Sequence, residues 1–356
     1  MGSNASLQTS SLSAFRVVLA LIVSASHALA LSGWNTRWAW SFGKAAELAV
    51  LAFFSMSGFL VAQSFYRSES WKDYFMKRAL RIYPAYAVVV LFFFVVLNAA
   101  YFESISLRSV WEQGYYVITN LLFLNFLKPS LPGIFEHNPF PFLNGALWTI
   151  KIEVFFYCLL PPLLGIGKRF GPRRVLLAVY LTACLLLQSF SAGSVGSMEY
   201  HLTRELLLPL AYFLAGVLYL LFFDALPKAK YSHVVLLWAV ALALAVFMTE
   251  SGSAHEVLRF IATMTAPLLL TTATLTTACL DLKHTGIRIP DLSYSLYLTH
   301  FPITQICCAL GANRGAPTLY WVIVLGAQCI FATIFWKCVE RPALEFRNQR
   351  RPHRLT

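Results

Sequence analysis

The feature that most constrains this chain is an apolar stretch at 12–32, LSAFRVVLALIVSASHALALS, which carries Arg16 and His27. The stretch is long enough to cross a bilayer as a helix. The two residues are eleven positions apart, so a helix would present both on one face, about 16 Å apart along its axis. Titratable groups inside a membrane helix are costly and usually functional. The alternatives are that Arg16 only reaches the lipid headgroups and that His27 only bonds a neighbouring carbonyl.

Composition places the chain among membrane proteins. Its 356 residues are 58% hydrophobic and only 12% charged, which excludes an ordinary soluble domain. The net charge of +12 is better explained by basic cytoplasmic loops than by nucleic acid. The seven cysteines lie mostly in apolar runs without zinc-site or C-x-x-C spacing, so we expect neither a metal nor a structural disulfide.

The apolar runs predict about ten transmembrane helices. They fall near 12–32, 45–65, 83–100, 146–166, 174–192, 205–223, 232–249, 257–279, 293–311 and 318–337. A shorter apolar piece, 114–127, contains Asn120 and Asn125. If this piece does not cross and the N-terminus is inside, the basic residues collect in the cytoplasmic loops, as the positive-inside rule requires. The predicted fold is an all-α polytopic membrane helix bundle with both termini cytoplasmic and 114–127 as a re-entrant or interfacial segment.

A basic cluster precedes the third predicted span. In WKDYFMKRALRIYPAY, 71–86, the residues Lys77, Arg78 and Arg81 crowd one side of a helix. Like charges at this spacing repel each other, so the cluster favours an anionic partner, and the guanidinium fork matches phosphate. The alternative is an anchor at the lipid headgroups.

Two further apolar runs contain polar residues. Small residues in FFSMSGFLVAQSF, 53–65, indicate close helix packing, with a channel lining that includes Ser57 as the alternative. In LWTIKIEVFFY, 147–157, burying the carboxylate of Glu153 in the membrane costs free energy unless a partner compensates its charge. The carboxylate could orient His27, neutralise an arginine or form a structural ion pair.

Near the C-terminus, DLSYSLYLTHFPI at 291–303 places His300 in the ninth predicted span. The Glu340-Arg341-Pro342 sequence closes the last span and predicts a structural lock there.

These elements together resemble the acyltransferase 3 family of bacterial integral membrane acyltransferases. The resemblance runs from about 11 to 345 and includes Arg16 with His27, the FFSMSGFLVAQS, RALRIYPAY, LWTIKIEVFFY and SYSLYLTHFPI runs, and the terminal ERP. It implies one membrane domain over 1–356, with a core at 11–345 and a short basic cytoplasmic tail at 346–356.

The resemblance implies an O-acyltransferase in the bacterial plasma (inner) membrane. Such proteins move an acyl group, commonly acetyl, from cytoplasmic acyl-CoA to a hydroxyl of a carbohydrate at the far side. Acetyl-CoA is then a co-substrate, with no permanently bound cofactor. The acceptor is a surface or exported carbohydrate or a lipid-linked glycan, such as O-antigen, exopolysaccharide, lipo-oligosaccharide, Nod factor or peptidoglycan sugars.

The resemblance also assigns residues. The family's essential histidine falls on His27 and its glutamate on Glu153, as catalytic groups. Its partnered arginine and its R-x-x-R pair fall on Arg16, Arg78 and Arg81, as donor-binding groups. One departure is Val154-Phe155, where many relatives carry Glu-Gln. Residues expected to line the cavity are Ser57, Tyr83, Trp148, Tyr297 and His300.

Alternatives remain open at this point. One is a transporter or flippase for a lipid-linked sugar, with His27 as a proton relay, and another is a purely structural membrane subunit. Within the enzyme class, succinyl transfer to a glucan and acylation of a small natural product are also open, as are the acyl group, the acceptor and the oligomeric state.

Overall fold

All regular secondary structure in the described residues is helical, as the composition predicts. The structure, a computed structural model, describes residues 9–101, 107–190, 197–222, 256–278 and 290–349, with 233, 236–240 and 243 between them. The helices are α1 (Thr9–Ser32), α2 (Ala39–Tyr66), α3 (Trp71–Tyr101), α4 (Leu107–Leu121), α5 (Trp148–Phe170), α6 (Pro172–Ser189), α7 (Leu208–Phe222), α8 (Glu256–Ala278), α9 (Ser293–Ala309), α10 (Pro317–Phe335) and α11 (Arg341–Gln349). A π-helical segment precedes α7 at His201–Leu207, and another precedes α11 at Trp336–Glu340.

The described helices confirm a multi-pass membrane fold. Seven helical segments among the described residues are long and apolar enough to cross a membrane: Ser11–Ser32, Ala39–Tyr66, Trp71–Ala100, Trp148–Phe170, His201–Phe222, Phe260–Ala278 and Pro317–Phe346. Three of the ten predicted spans stay predictions. Two correspond to α6 and α9, which have 18 and 17 residues and are not among the seven. The third, 232–249, lies largely outside the described residues, as does the tail beyond 349.

The segment predicted not to cross contains α4. With 15 residues, α4 is about 22 Å long, short of the roughly 30 Å hydrocarbon core. Trp111 and Ile118 are exposed, whereas Asn120 is buried and donates to the carbonyls of Tyr116 and Lys128. A short amphipathic helix of this kind agrees with a re-entrant or interfacial segment.

The end of α4 has an unusual residue in a left-handed conformation. Phe123 has a φ of 62°, and the next amide, at Leu124, donates back to Thr119 O at 2.8 Å. Glycine usually occupies this position because a Cβ is disfavoured there. The Phe123 ring packs on Tyr86, with 4.5 Å between centroids, and this contact offsets the backbone cost.

Contacts between residues divide the chain into two compact units. Unit 1 comprises Met1–Leu19, Leu48–Trp71 and Ile152–Pro290, and unit 2 comprises Ala20–Glu47, Lys72–Lys151 and Asp291–Thr356. Helices α1, α2 and α5 therefore contribute residues to both units, as does α3 through its first residue, Trp71.

In unit 1, α2 and α7 are in backbone contact through two glycines. A Cβ at Gly58 would lie 1.9 Å from the carbonyl oxygen of Phe213, and one at Gly216 would lie 2.1 Å from that of Ser55. Small residues permit this approach between apolar helices. The packing interpretation of the FFSMSGFLVAQSF run is thus confirmed at Ser55 and Gly58.

We expect Gly216→Ala to lower the free energy of unfolding by about 3 kcal/mol, because its Cβ has no room beside the α2 backbone. Thermal unfolding of the purified protein in detergent measures the effect. The matched control is Gly165→Ala in α5, whose Cβ would meet nothing within 4 Å. If both variants melt alike, the close contact between α2 and α7 is absent.

Candidate active site

Unit 2 contains a pair of histidines in contact. His27 of α1 and His300 of α9 place Nδ1 and Nε2, respectively, 2.8 Å apart, and their rings stack with centroids 5.1 Å apart. His300 is fully buried, whereas His27 is partly exposed. Of the two residues, His27 is therefore the one with exposed surface.

The hydrogen bonds around the pair fix the positions of its protons. His300 Nδ1 lies 3.1 Å from the carbonyl oxygen of Leu296, and a carbonyl can only accept, so Nδ1 carries the hydrogen. With both rings neutral, His300 Nε2 accepts from His27 Nδ1–H. The Nε2 atom of His27 is then unprotonated, which is the state that a general base requires.

A buried polar network holds both histidine-bearing helices to α10. Ser24, one turn before His27, donates to Gln328 Oε1 at 2.5 Å. Gln328 Nε2 donates to Thr304 Oγ1 at 2.6 Å, and Thr304 Oγ1 donates to the carbonyl of His300 at 2.7 Å. All these side chains are fully buried, so an unmade bond would be costly. The network thereby sets the rotation of α1 and α9 that brings the two rings together.

Aromatic side chains of α9 enclose the pair. Tyr297 packs its ring edge on His300 at 5.7 Å, and its hydroxyl is 2.5 Å from Thr149 Oγ1. Phe301 packs edge-on against His27 at 5.4 Å. A Cβ at Gly145 would come within 2.7 Å of the Phe301 ring, so only glycine fits beside it.

The loop before α5 is held on α9 by side-chain amides. Gln305 Nε2 donates to the carbonyls of Phe140 and Phe142 at 2.6 and 2.7 Å. Asn138 Nδ2 donates to Gln305 Oε1 at 2.7 Å, and Asn144 Nδ2 donates to the Leu298 carbonyl at 2.8 Å. The polypeptide that carries Gly145 is therefore fixed relative to the histidine pair.

A second polar cluster in unit 2 surrounds Arg81. Its Nη1 lies 2.8 Å from Glu340 Oε1, its Nη2 lies 3.5 Å from Asp291 Oδ2, and its guanidinium lies over the ring of Tyr294. Glu340 is only 1% exposed and also accepts from Ser295 at 2.6 Å. Glu340 is thus the residue of the ERP sequence that ties the end of the last span to α3 and α9. Two carboxylates compensate the charge of Arg81, and its predicted role at phosphate stays a prediction.

In unit 1, Glu153 has two hydroxyl partners. Ser57 donates to Glu153 Oε1 at 3.2 Å, and Tyr157 donates to the same oxygen. The carboxylate that the sequence marked as needing a partner is thus hydrogen-bonded between α2 and α5. Its catalytic role stays a prediction.

The remaining predicted site residues are placed as follows. Arg16 is partly buried on α1, Arg78 on α3 and Trp148 at the start of α5. Tyr83 is 43% exposed and packs its ring against Phe123. Among the described residues there is no cluster of three acidic, histidine or cysteine side chains that could hold a metal, and the six described cysteines are free thiols.

The sequence interpretation missed Gln328, Gln305, Phe301 and Gly145. The two glutamines interrupt apolar helices, as His27 does. Polar residues inside membrane helices usually have a functional or structural role, and this rule would have identified both glutamines as candidates. No local signal marks Phe301 or Gly145, because their importance arises from a contact between distant parts of the chain.

Several helices are long and apolar enough to span a membrane, and one of them carries a partly exposed, hydrogen-bonded imidazole, so the fold is that of a multi-pass membrane protein with a candidate catalytic histidine. The chain belongs to the acyltransferase 3 family: the family's model, described as an acyltransferase domain, matches residues 9–337. The resemblance inferred from the motifs is thus confirmed, and the protein is a multi-pass membrane acyltransferase.

Two relatives illustrate the similarity. The chain is 25% identical to nodulation protein 10 of Rhizobium leguminosarum bv. viciae, over 86% of this chain and 84% of the relative. It is 27% identical to an O-acetyl transferase of Shigella phage Sf6, over 82% and 83% of the two chains. No solved structure matches the chain.

We expect Glu340→Gln to lower the free energy of unfolding by about 3 kcal/mol, because it removes a buried partner of Arg81. The matched control is Glu345→Gln, which breaks an exposed pair with Arg341 and should change stability by at most about 0.5 kcal/mol. Denaturation in detergent measures both. Equal effects would show that the Arg81 cluster does not act as a lock.

Proposed function

We propose that the protein is a membrane O-acetyltransferase that moves an acetyl group from acetyl-CoA to a hydroxyl of a cell-surface or exported carbohydrate. The membrane would be the bacterial inner membrane, with both termini in the cytoplasm. Membership of an acyltransferase family and a relative named an O-acetyl transferase support acyl transfer to oxygen. Neither supports a transporter. The observation that carries the proposal is the hydrogen-bonded pair of His27 and His300.

In the proposed reaction His27 is the general base. Its Nε2 accepts the proton of the acceptor hydroxyl while the hydroxyl oxygen attacks the thioester carbonyl. The C–O bond of the ester forms, the C–S bond breaks, and the CoA thiolate leaves. The thiolate then takes the proton from His27, so the products are the acetyl ester and CoA thiol. A route through an acetylated His27 is the competing chemistry.

His300 has a positioning role in this proposal. It accepts the Nδ1 hydrogen of His27 and so keeps the reactive Nε2 unprotonated. It also stabilises the imidazolium of His27 that forms in the transition state, as the third group does in catalytic triads. Because His300 is fully buried, it acts through His27 and does not touch the substrate.

For the donor phosphates, the R-x-x-R pair of Arg78 and Arg81 is the candidate. Arg78 lies one turn before Arg81 on α3, and the guanidinium of Arg81 faces Glu340 and Asp291. Arginine binds phosphate through a fork of hydrogen bonds, so these two side chains would hold the CoA end of the donor. The donor-binding role of Arg16 and the catalytic role of Glu153 stay predictions.

We expect His27→Gln to reduce acetyl transfer by at least about 10³-fold, because the general base is lost. The measurement is the transfer of labelled acetyl from acetyl-CoA to the glycan fraction of membrane vesicles from the source bacterium. Binding of acetyl-CoA and the melting temperature should stay unchanged. The control is His201→Gln, a partly exposed histidine paired with Glu205, which should retain activity. Retained transfer in His27→Gln would refute the assignment.

We expect His300→Leu to lower kcat about 100-fold with little change in the KM for acetyl-CoA, because His27 loses the acceptor of its Nδ1 hydrogen. His300→Gln can place an acceptor at nearly the same position and should restore part of kcat. If the role of His300 is purely structural, the loss of kcat in each variant will instead parallel its loss of melting temperature. That result would remove His300 from the mechanism.

A further inference from the structure

Unit 2 contains an aromatic cleft outside the histidine pair. It has a volume of 490 Å³, and four aromatic side chains line it: Trp34, Trp38, Phe42 and Trp321. Leu29 also lines the cleft, and it follows His27 by two residues on α1. By the helical rise these two positions are about 3 Å apart along the axis, so the cleft lies at the depth of the proposed general base, although the turn between them directs the two side chains to different sides of α1.

The walls of the cleft are fixed by contacts among α1, α10, the start of α2 and the loops beside them. Trp34 Nε1 donates to the backbone carbonyl of Asn313 at 3.1 Å, and its ring packs on Tyr320 at 4.8 Å. The Tyr320 hydroxyl donates to the Ala28 carbonyl at 2.5 Å. The ring of Phe42 stacks with that of Trp321. The rings of Trp34, Phe42 and Trp321 are thus preorganised, and a ligand would not have to order them.

One polar atom of the cleft has no hydrogen-bond partner within the described part of the chain. The hydroxyl oxygen of Thr36, a lining residue, is buried and makes no hydrogen bond to any described residue. A buried hydroxyl without a partner is destabilising unless a ligand or water satisfies it. Beside it, the guanidinium of Arg37 lies over the ring of Trp38, 5.0 Å from its centroid.

The lining chemistry selects the kind of ligand. A sugar ring has apolar C–H faces, which suit the electron-rich faces of indole, and hydroxyls at its edge, which suit Thr36. An acyl chain would leave the Thr36 hydroxyl unsatisfied. The phosphates of acetyl-CoA would need basic groups, and none of the residues that line the cleft in the described part of unit 2 is charged.

We propose that this cleft is the subsite for a sugar ring of the acceptor, next to the ring whose hydroxyl reaches His27. Trp38 and Trp321 provide stacking surfaces, and Thr36 bonds a ring hydroxyl. The proposal rests on the proposed function, and it assigns the selection of the carbohydrate to residues that take no part in the chemistry.

The test is direct sugar binding to the full-length protein in lipid nanodiscs. The probes are neutral tetrasaccharides of glucose, N-acetylglucosamine, galactose and rhamnose, observed by saturation transfer from protein to sugar ring protons. At least one probe should receive transfer, and Trp321→Ala or Trp38→Ala should weaken its binding about tenfold or more. Thr36→Val should weaken it about fivefold without lowering the melting temperature.

The matched control is Trp40→Ala. Trp40 is 52% exposed, close to the 56% of Trp38 two residues before it, but it does not line the cleft. Binding should survive this change. Binding that survives the cleft substitutions equally well, or transfer to none of the four probes, overturns the proposal.

Two further arms separate this proposal from its rivals. Sugar binding should persist in His27→Gln, so a failure of acetyl transfer and a failure of the subsite give different results. The second arm uses nanodiscs whose lipids carry dibrominated acyl chains as quenchers of tryptophan fluorescence. The emission of Trp321 is the difference between the unmodified protein and the Trp321→Phe variant. A bound sugar should relieve the quenching of this emission. Quenching that no probe relieves would identify the occupant as a lipid chain and overturn the proposal.

Discussion

The hydrogen bond between His27 and His300 is the interaction on which the proposed chemistry depends. Two imidazoles within apolar helices are costly, and each compensates the other by taking one of its hydrogen-bonding positions. The Leu296 carbonyl sets the direction of the whole chain of bonds from the α9 backbone to the reactive nitrogen. A single main-chain group in a regular helix thereby determines which atom of His27 is basic.

Polar contacts and close backbone contacts hold the helices within each unit. Apolar side chains gain little from one another inside lipid, so hydrogen bonds and close backbone contacts must set the geometry. In unit 2 the Gln328 network and the ion pair of Arg81 with Glu340 serve this purpose. In unit 1 the close backbone contacts of Gly58 with Phe213 and of Gly216 with Ser55 have the same effect. Each of these contacts fixes the rotation of a helix about its axis.

Much of the fold could be predicted from the sequence, because length and apolar composition alone define a membrane helix. The same rule singled out His27, His300 and Glu153 as polar groups in apolar surroundings, and the structure gives each of them a side-chain partner. The identity of those partners could not be predicted. His27 and His300 are 273 residues apart in sequence, and the cleft joins residues near 34 to residues near 321. Such contacts depend on how the helices associate, which no local pattern encodes.

The attachment of the loop before α5 has a consequence for how such enzymes diversify. Gln305 holds this loop through the carbonyl oxygens of Phe140 and Phe142, which every amino acid possesses. The side chains at these two positions can therefore change over evolutionary time while the course of the loop past Gly145 is preserved. Substitutions at these two positions can therefore change the surface chemistry of the loop without moving the histidine pair.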